Sequence, residues 1–396
     1  MKEISVLDKK GLDLFLEIGD NDVKLRSSGP FSIFAKPIVS KVNWLLENEK
    51  PIRVSEDQVT LSTWIPPIPS EPFKRAIKAE IKSRIFNENI PEAVSMNISA
   101  CTLNCEECNI LGEGSQLETK LIKDFMDEVQ EMGAISLGFA EGDPLLRDDL
   151  FELIEHVDKD KSTVSVFTPG PLMDDETASK LKEKGVHSVI TGIKSPIPSE
   201  HNKARGKKRA FQDAINCMET CVDKGLNVSM HTHVKPSLVE EGKITEIYEL
   251  AKKTDVHELT LWESHPTWSY KDKTSLILSE SHRNKLTKLY KKWNKTEGPR
   301  IFYNHVFESE DMFGCMAGKR WLNLIHDGTL TPCTYVPISF GNIKEEKVET
   351  IWQRMQESDA IQCGEKCKML DEEFRTKVVD KHSVQEMPID YRNISW

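Results

Sequence analysis

Between residues 93 and 264 short apolar runs alternate with longer segments whose apolar positions recur every three or four residues. "AVSMNIS" (93–99) reads as a strand and "LETKLIKDFMDEVQEMG" (117–133) as a helix, with Leu121, Phe125, Val129 and Met132 on one face and a glycine stop. The alternation continues: "AISLGFA" strand, "DDLFELIEHV" helix, "STVSVFT" strand, "DDETASKLKEKG" helix, "VHSVITGI" strand, "KRAFQDAINCMETCVDKG" helix, "LNVSMHTHV" strand, "EEGKITEIYELAKKT" helix and "HELTLWES" strand. Six strands with five intervening helices predict an α/β fold, a parallel sheet with helices outside. In such folds functional side chains sit on the loops that follow the strand C-termini.

The flanks read differently. Before residue 93, "LFLEIGDNDVKLRSS" and "IRVSEDQVTLSTW" predict hairpins, "FSIFAKPIVSKVNWLLENEK" is helical around Pro37, and "IPPIPSEP" breaks the chain. "FKRAIKAEIKSRIF" is a helix with Phe73, Ile77, Ile81 and Ile85 on one stripe and Lys74, Lys78, Lys82 and Arg84 elsewhere. That stripe predicts docking on the sheet domain with a solvated basic face; the alternative is a basic face for an anionic substrate, peptide or lipid headgroup. After residue 300, "WLNLI", "DG" and "TLTPC" form a hairpin signature, followed by a helix with Val348, Ile351 and Trp352 inward.

Charge and composition narrow the function. No run approaches the roughly 18 consecutive apolar residues of a spanning helix, and the start lacks a signal-peptide apolar core. These features predict a cytoplasmic protein with no integral membrane segment. A net charge of −11 argues against a nucleic-acid binder. Nine cysteines in a reducing compartment are not expected to be disulfides. Cys217 and Cys221 fall on an amphipathic helix and read as core residues.

The other seven fall in two groups. Cys101, Cys105 and Cys108 crowd the loop directly after the first strand, at the functional rim. A closed tetrahedral zinc site takes four ligands; three thiolates suggest a metal centre with one open position. Cys315, Cys333, Cys363 and Cys367 are enough to saturate a second centre, either Zn(Cys)4 or iron–sulfur, with the hairpin bringing Cys315 and Cys333 together. The second strand leads into "EGDPLL" (141–146), where Gly142 and Pro144 demand an irregular backbone one βα unit from the triplet. His231, His233, Glu263, His265, Tyr303 and His305 lie at or after the later strands and are candidates for substrate chemistry.

The Cys-x3-Cys-x2-Cys spacing, the strand alternation and the "EGDP" loop together resemble the radical S-adenosylmethionine (SAM) superfamily. The resemblance implies a partial (β/α)6 barrel over 93–300, a small N-terminal α+β domain over 1–92, and a C-terminal cluster domain of β-hairpin and helix over 301–396. It implies that Cys101, Cys105 and Cys108 hold three irons of a [4Fe–4S] cluster whose fourth iron chelates SAM. Gly142, Asp143 and Pro144 align with the loop that binds the SAM amino group. Arg205, in "SEHNKARGKKRAF", aligns with a residue that approaches the SAM carboxylate. The C-terminal cysteines resemble the SPASM/twitch extension, whose shorter form carries one auxiliary [4Fe–4S] cluster, so two clusters are expected in all. Two positions depart from the family: Glu107 stands where an aromatic residue is usual, and Asp143 where a glutamate is.

The implied reaction is reductive cleavage of SAM and hydrogen abstraction from an unactivated carbon by the 5′-deoxyadenosyl radical, with electrons from a ferredoxin or flavodoxin. A peptide or protein is the leading substrate. A small cofactor precursor, a tetrapyrrole or an isoprenoid lipid is the alternative, and a non-catalytic metal-binding protein is the reading of another class.

Overall fold

The computed structural model describes residues 2–9, 11–19, 22–108, 117–309, 312–359, 361 and 367–394. It opens with strands β1 (Lys2–Lys9), β2 (Leu12–Ile18) and β3 (Val23–Ser28), helix α1 (Ser32–Leu46), the short pair β4 (Arg53–Val54) and β5 (Val59–Thr60), and helix α2 (Glu71–Phe86). The alternating region supplies β6 (Ala93–Asn97), α3 (Thr119–Met132), β7 (Ser136–Phe139), α4 (Leu150–His156), β8 (Thr163–Phe167) and α5 (Asp175–Glu183). It continues with β9 (Ser188–Gly192), α6 (Pro198–Arg205), α7 (Ala210–Asp223), β10 (Asn227–Val234), α8 (Pro236–Glu240), α9 (Lys243–Lys253) and β11 (Glu258–Glu263). Then follow α10 (Glu280–Trp293), β12 (Arg300–Tyr303), α11 (Asn304–Phe307), β13 (Trp321–Ile325), β14 (Thr329–Thr331), β15 (Ile338–Ser339), β16 (Gly341–Asn342) and α12 (Val348–Glu357).

All six strands expected from the apolar pattern form, and they pair in parallel in chain order. Two further parallel strands flank them. β12 adds beside β11, and β13 adds beside β6 at the opposite edge. β14 and β16 extend that edge antiparallel, giving ten strands in the order β12-β11-β10-β9-β8-β7-β6-β13-β14-β16. Strands β7 to β9 (SLGF, TVSVF and SVITG) mix Val, Ile, Leu and Phe with small or hydroxyl residues, and the apolar ones pack in the core covered by helices. α3 turns Ile122, Phe125, Met126 and Val129 into that core, and α7 turns Cys217, Met218 and Cys221 into it, so these two thiols are packing residues.

At the N-terminus β1, β2 and β3 form an antiparallel meander, and Ile4, Leu16, Ile18, Val23 and Leu25 join Val59, Leu61 and Ile68 in a second, smaller core. α1 leaves Phe31, Ile33, Phe34 and Trp44 half or more exposed. α2 begins at a Ser70 cap with Pro72 in its first turn. Its buried face differs from the expected stripe: Pro72 and Ala79 are buried, whereas Ile77 and Ile81 face outward beside the lysines. A charged hydrogen-bonding neighbour explains the rotation. Arg75 donates to the Gln130 carbonyl at 2.6 Å, and Glu80 pairs with Arg320 at 2.6 Å, so these polar residues take the inward positions.

Residues 49–64 run under the barrel at the N-terminal ends of its strands. Arg300 is 1% exposed and donates to both Glu49 (2.7 Å) and Glu258 (2.6 Å). Tyr290 donates to the other Glu49 oxygen at 2.5 Å, and Ser62 donates to Glu258 at 2.7 Å. Burial pushes the Glu49 carboxyl up, against the pull of Arg300. Lys50 caps three carbonyls, of Trp293, Thr296 and Gly298. Trp64 then enters the barrel and packs on Phe167, Trp262 and Phe302 with ring centroids 5.5–5.7 Å apart, closing the floor. Breaking such a buried ion cluster by removing one partner strands the others in low dielectric. Arg300→Met is therefore expected to cost about 3–5 kcal/mol, read as a lower denaturant midpoint in anaerobic unfolding; an unchanged midpoint would refute this role of the cluster.

Candidate functional site

Parallel strands point alternate side chains into the barrel, and the loops after their C-termini crowd one rim. The triplet loop leaves β6 there. Cys101 and Cys105 come close enough to interact electrostatically, and burial is the main cause that raises the Cys101 thiol. The Leu103 amide donates to Cys101 Sγ at 3.4 Å. The far side of the loop is sewn to the end of α6: the Asn104 amide donates to the Arg205 carbonyl at 3.1 Å and the Glu106 amide to the Ala204 carbonyl at 3.2 Å. Gly206 lies so close that a Cβ there would sit 2.5 Å from the Asn104 carbonyl oxygen.

Arg205 reaches back across this seam. One guanidinium nitrogen donates to Cys105 Sγ at 3.6 Å and the other to the Gly192 carbonyl at 2.8 Å. Gly192 makes room for it, since a Cβ there would meet Arg205 Nη2 at 2.4 Å.

The 141–144 loop packs against the chain just before Cys101. Gly142 has φ +75°, and a Cβ on it would fall 2.4 Å from the Ser99 carbonyl and 2.7 Å from that of Ala100. The Asp143 amide donates to the Ala100 carbonyl at 2.8 Å. Asp143 Oδ1 accepts from Thr168 Oγ1 (2.8 Å) and from the Leu145 amide (3.3 Å). Its Oδ2 is buried without a partner among the described residues, as are Asn97 Oδ1 and Ser99 Oγ nearby on the β6 end. Glu141 takes φ +52°, and its carboxylate accepts from Asn97 Nδ2 at 2.9 Å. Unpartnered buried polar atoms beside a backbone cradle are what a polar ligand would satisfy.

Inside the barrel, β10 contributes His231 and His233, whose rings lie 4.7 Å apart, and β11 contributes Trp262. His265, just beyond β11, packs on Tyr335 at 4.9 Å; both its ring nitrogens, Trp262 Nε1 and Ser264 Oγ are buried with no hydrogen-bond partner among the described residues. His233 bridges Lys194 Nζ (3.1 Å) and Tyr335 Oη (3.3 Å). Burial lowers the imidazole pKa to about 3 at His231 and about 4 at His265, and lowers Lys194 to about 8. A small opening beside this chamber is lined by Glu106, Glu107, Lys194, Ala204, His233 and Lys235, with Glu107 and Lys235 3.9 Å apart. The other polar candidates are not part of it. Glu263 is bound by Arg283 (2.8 Å) and Tyr303 (2.8 Å), with His305 3.6 Å away, in an ion cluster of their own. The apolar pattern did not single out Lys194, Trp262 or Tyr335; their signal is the two-residue period, which turns 231, 233 and 262 inward together.

Of the C-terminal cysteines, Cys315 and Cys367 are hydrogen-bonded to each other and Cys333 interacts electrostatically with both. Cys363 lies outside the described residues. Cys101 approaches Cys105, and Cys315, Cys333 and Cys367 approach one another, although no three metal-ligating side chains among the described residues are drawn together tightly enough to hold a single metal ion; the triplet loop adjoins unsatisfied polar atoms and a glycine cradle. Asn97, Ser99, Gly142 and Asp143 line one polar cradle beside the triplet loop.

Comparison with known proteins agrees with this geometry. Residues 98–251 match the model of the radical SAM superfamily, and residues 315–377 match that of the SPASM iron–sulfur cluster-binding domain. An AdoMet-dependent heme synthase of Methanosarcina barkeri is 26% identical over 295 residues, 68% of this chain and 84% of that protein. The fold is similar to Streptococcus suis SuiB bound to its precursor peptide SuiA (TM-score 0.57, 14% identity, 93% of this chain and 94% of that one). It is also similar to anSMEcpe with bound AdoMet (TM-score 0.54, 16% identity, 68% and 86%).

Two measurements check the site. Anaerobically reconstituted protein is expected to hold about eight irons, the content of two [4Fe–4S] clusters, and replacing Cys101, Cys105 and Cys108 together with Ala should leave about half. Gly142→Ala should keep the full iron load but lose SAM binding in equilibrium dialysis, because its methyl group would displace the backbone before Cys101. Wild-type SAM affinity in that variant would remove the loop from the site.

Proposed function

The chain belongs to the radical SAM superfamily and carries a C-terminal SPASM iron–sulfur domain, and on that premise we propose that it modifies a peptide at an unactivated carbon. SAM and two [4Fe–4S] clusters are its cofactors. In this reading Cys101, Cys105 and Cys108 hold the cluster that meets SAM, and Cys315, Cys333, Cys363 and Cys367 hold the auxiliary one. The SAM amino group lies against Gly142, Asp143 and Pro144, while the Arg205 guanidinium offsets the charge of the thiolates. Bound there, SAM supplies one-electron cleavage and a carbon radical able to abstract hydrogen.

The protein's own residues do the rest. Trp64, Phe167 and Phe302 close the barrel floor to water. Lys194 as an ammonium donates to His233 Nδ1, which fixes the neutral tautomer with its Nε2–H toward Tyr335 Oη. His265 and Trp262 present ring nitrogens with no hydrogen-bond partner among the described residues to whatever enters, beside the His231 ring.

The observation that carries the peptide reading is the N-terminal unit. It is a three-stranded sheet in which β1 is an outer strand, whereas the outer side of β3 is bonded at Leu25 by Asn43 of α1, and Phe31, Ile33, Phe34 and Trp44 are exposed at and before that helix. An extended peptide can add to such an edge by main-chain hydrogen bonds while apolar pockets select its side chains. The fold similarity to SuiB, whose structure holds its precursor peptide SuiA, spans 93% of this chain and is compatible with a peptide substrate. Residues 93–300 would then be the reaction barrel and 301–396 the auxiliary-cluster domain, with a ferredoxin or flavodoxin as electron donor. A tetrapyrrole substrate is the second reading, supported by the heme synthase relative and by the ring-lined chamber.

With dithionite and SAM the reduced protein is expected to release 5′-deoxyadenosine without added substrate, and Cys105→Ala should abolish this; an iron-replete sample that releases none would refute the radical assignment. The substrate readings separate by binding. A peptide encoded beside this chain's gene should bind, and Trp44→Asp should weaken it more than about tenfold, the scale of one aromatic anchor, with 5′-deoxyadenosine release intact. A shift in porphyrin absorbance on titration, with no peptide binding, would favour the tetrapyrrole.

A further inference from the structure

The sheet brings β6 and β13 together, but both cysteine loops extend past the strand ends, where no ladder holds them. One short turn touches both. Beyond β11, the Ser269 hydroxyl donates to the Cys108 carbonyl at 2.9 Å. Its neighbour Trp268 donates from Nε1 to the Thr334 carbonyl at 2.7 Å, and Thr267 Oγ1 donates to the Tyr335 carbonyl. The Tyr335 amide in turn donates to Cys333 Sγ at 3.4 Å. The turn is closed on itself by the Tyr270 amide on the Thr267 carbonyl (3.0 Å) and the Lys271 amide on that of Trp268 (3.3 Å). Trp268 is 2% exposed and takes φ +45°, a left-handed conformation that a bulky side chain rarely adopts. An asparagine or glycine would form the turn with less strain. What tryptophan adds is a long indole whose N–H reaches Thr334 while the next residue reaches Cys108. Strain of this kind persists where surrounding contacts over-determine it, and it concentrates at functional sites.

We propose that residues 267–270 are a strap that fixes the separation of the two iron–sulfur centres, with Trp268 and Ser269 as positioning residues. The proposal rests on the assignment of Cys101, Cys105 and Cys108 to one centre and the C-terminal cysteines to the other. When one electron moves between the centres, the first is oxidised and the second reduced by one unit. Such transfer falls exponentially with distance, so a strap that holds the gap holds the rate. The two hydrogen bonds pull on opposite ends: Ser269→Ala cuts the bond at the Cys108 loop, and Trp268→Phe, which keeps a ring in place, cuts the bond at the Cys333 loop.

The test uses reconstituted holoenzyme reduced with dithionite. Iron content is measured first, then microwave-power saturation of the low-temperature electron paramagnetic resonance signal, which reads magnetic coupling between the two reduced clusters. Wild-type protein is expected to relax fast through that coupling. Ser269→Ala and Trp268→Phe should keep their iron but relax measurably more slowly than wild type, and product formed per SAM cleaved should fall. In a Cys315→Ala background, with the auxiliary centre removed, Ser269→Ala should leave the site-cluster spectrum as it is. The strap is overturned if both variants retain wild-type coupling, or if the wild-type clusters show none. Should Trp268→Phe lose auxiliary iron through local misfolding, Ser269→Ala decides alone, since its bond is at the other loop. Wild-type iron for fewer than two clusters would instead overturn the ligand assignment, and the strap with it.

Discussion

The parallel pairing of β13 with β6 is the constraint on which the site depends. Trp321 to Ile325 run in register with Ala93 to Asn97, and Trp321 Nε1 donates to Ser95 Oγ at 2.6 Å inside the barrel. Cys101 follows β6, and Cys315 and Cys333 bracket the β13–β14 hairpin. More than 200 residues separate the cysteine groups in sequence, and the ladder joins their two regions while setting Cys101 beyond the C-terminal end of β6 and Cys333 after a strand that runs back toward the start of β13. The cost of closing so long a loop grows only logarithmically, and the intervening βα units are ordered anyway. The C-terminal region is thus built onto the barrel sheet, and its residues Tyr335 and Trp321 help to line the interior.

What the sequence makes legible follows from which signals are local. The six middle strands and their helices carry strong periodicity because each buries one face against the next unit. β12 does not: Arg300 begins it, and "RIFY" is too brief to stand out. A buried arginine reads as exposed until Glu49 and Glu258, far away in sequence, are placed beside it. The α2 stripe fails for a related reason. Periodicity predicts that Ile77 and Ile81 face the core, but Arg75 and Glu80 have long-range partners that turn the helix. Cysteine spacing made the triplet legible, and the irregular "EGDP" backbone made its partner loop legible. The chamber was legible only in part: His231 and His233 stand out as residues, whereas Lys194 and Tyr335 acquire their roles through contacts across the barrel.

The buried cluster under the barrel links the two ends of the proposed function. Glu49 and Lys50 follow α1, whose exposed aromatic face belongs to the N-terminal unit, and both are locked to α10 and the chain before β12. A few residues later Trp64 fills the barrel floor against Trp262, which also borders the chamber. One continuous segment therefore runs from the proposed peptide surface to the base of the reaction space. Such a segment can hold a docked chain at a fixed distance from the rim without a direct contact between the two sites.

The charge of the chamber weighs between the two substrates. Burial keeps His231 and His265 neutral at ordinary pH, with His233 lowered further for the same reason. The neighbouring guanidiniums are engaged: Arg205 with Cys105 and the Gly192 carbonyl, and Arg283 with Glu263. Among the described residues Lys194, itself lowered to about 8 by burial, is a cation on the inner wall. A group bearing several carboxylates would enter such a space at a high desolvation cost, with one ammonium to offset it. Neutral imidazoles, an indole N–H and a phenol suit amides and rings instead, each of them able to donate to a carbonyl or stack on a flat side chain. By this measure a peptide side chain is the better match to the interior, and a tetrapyrrole would need its carboxylates to remain outside, toward Lys235 and the basic loop at Lys207.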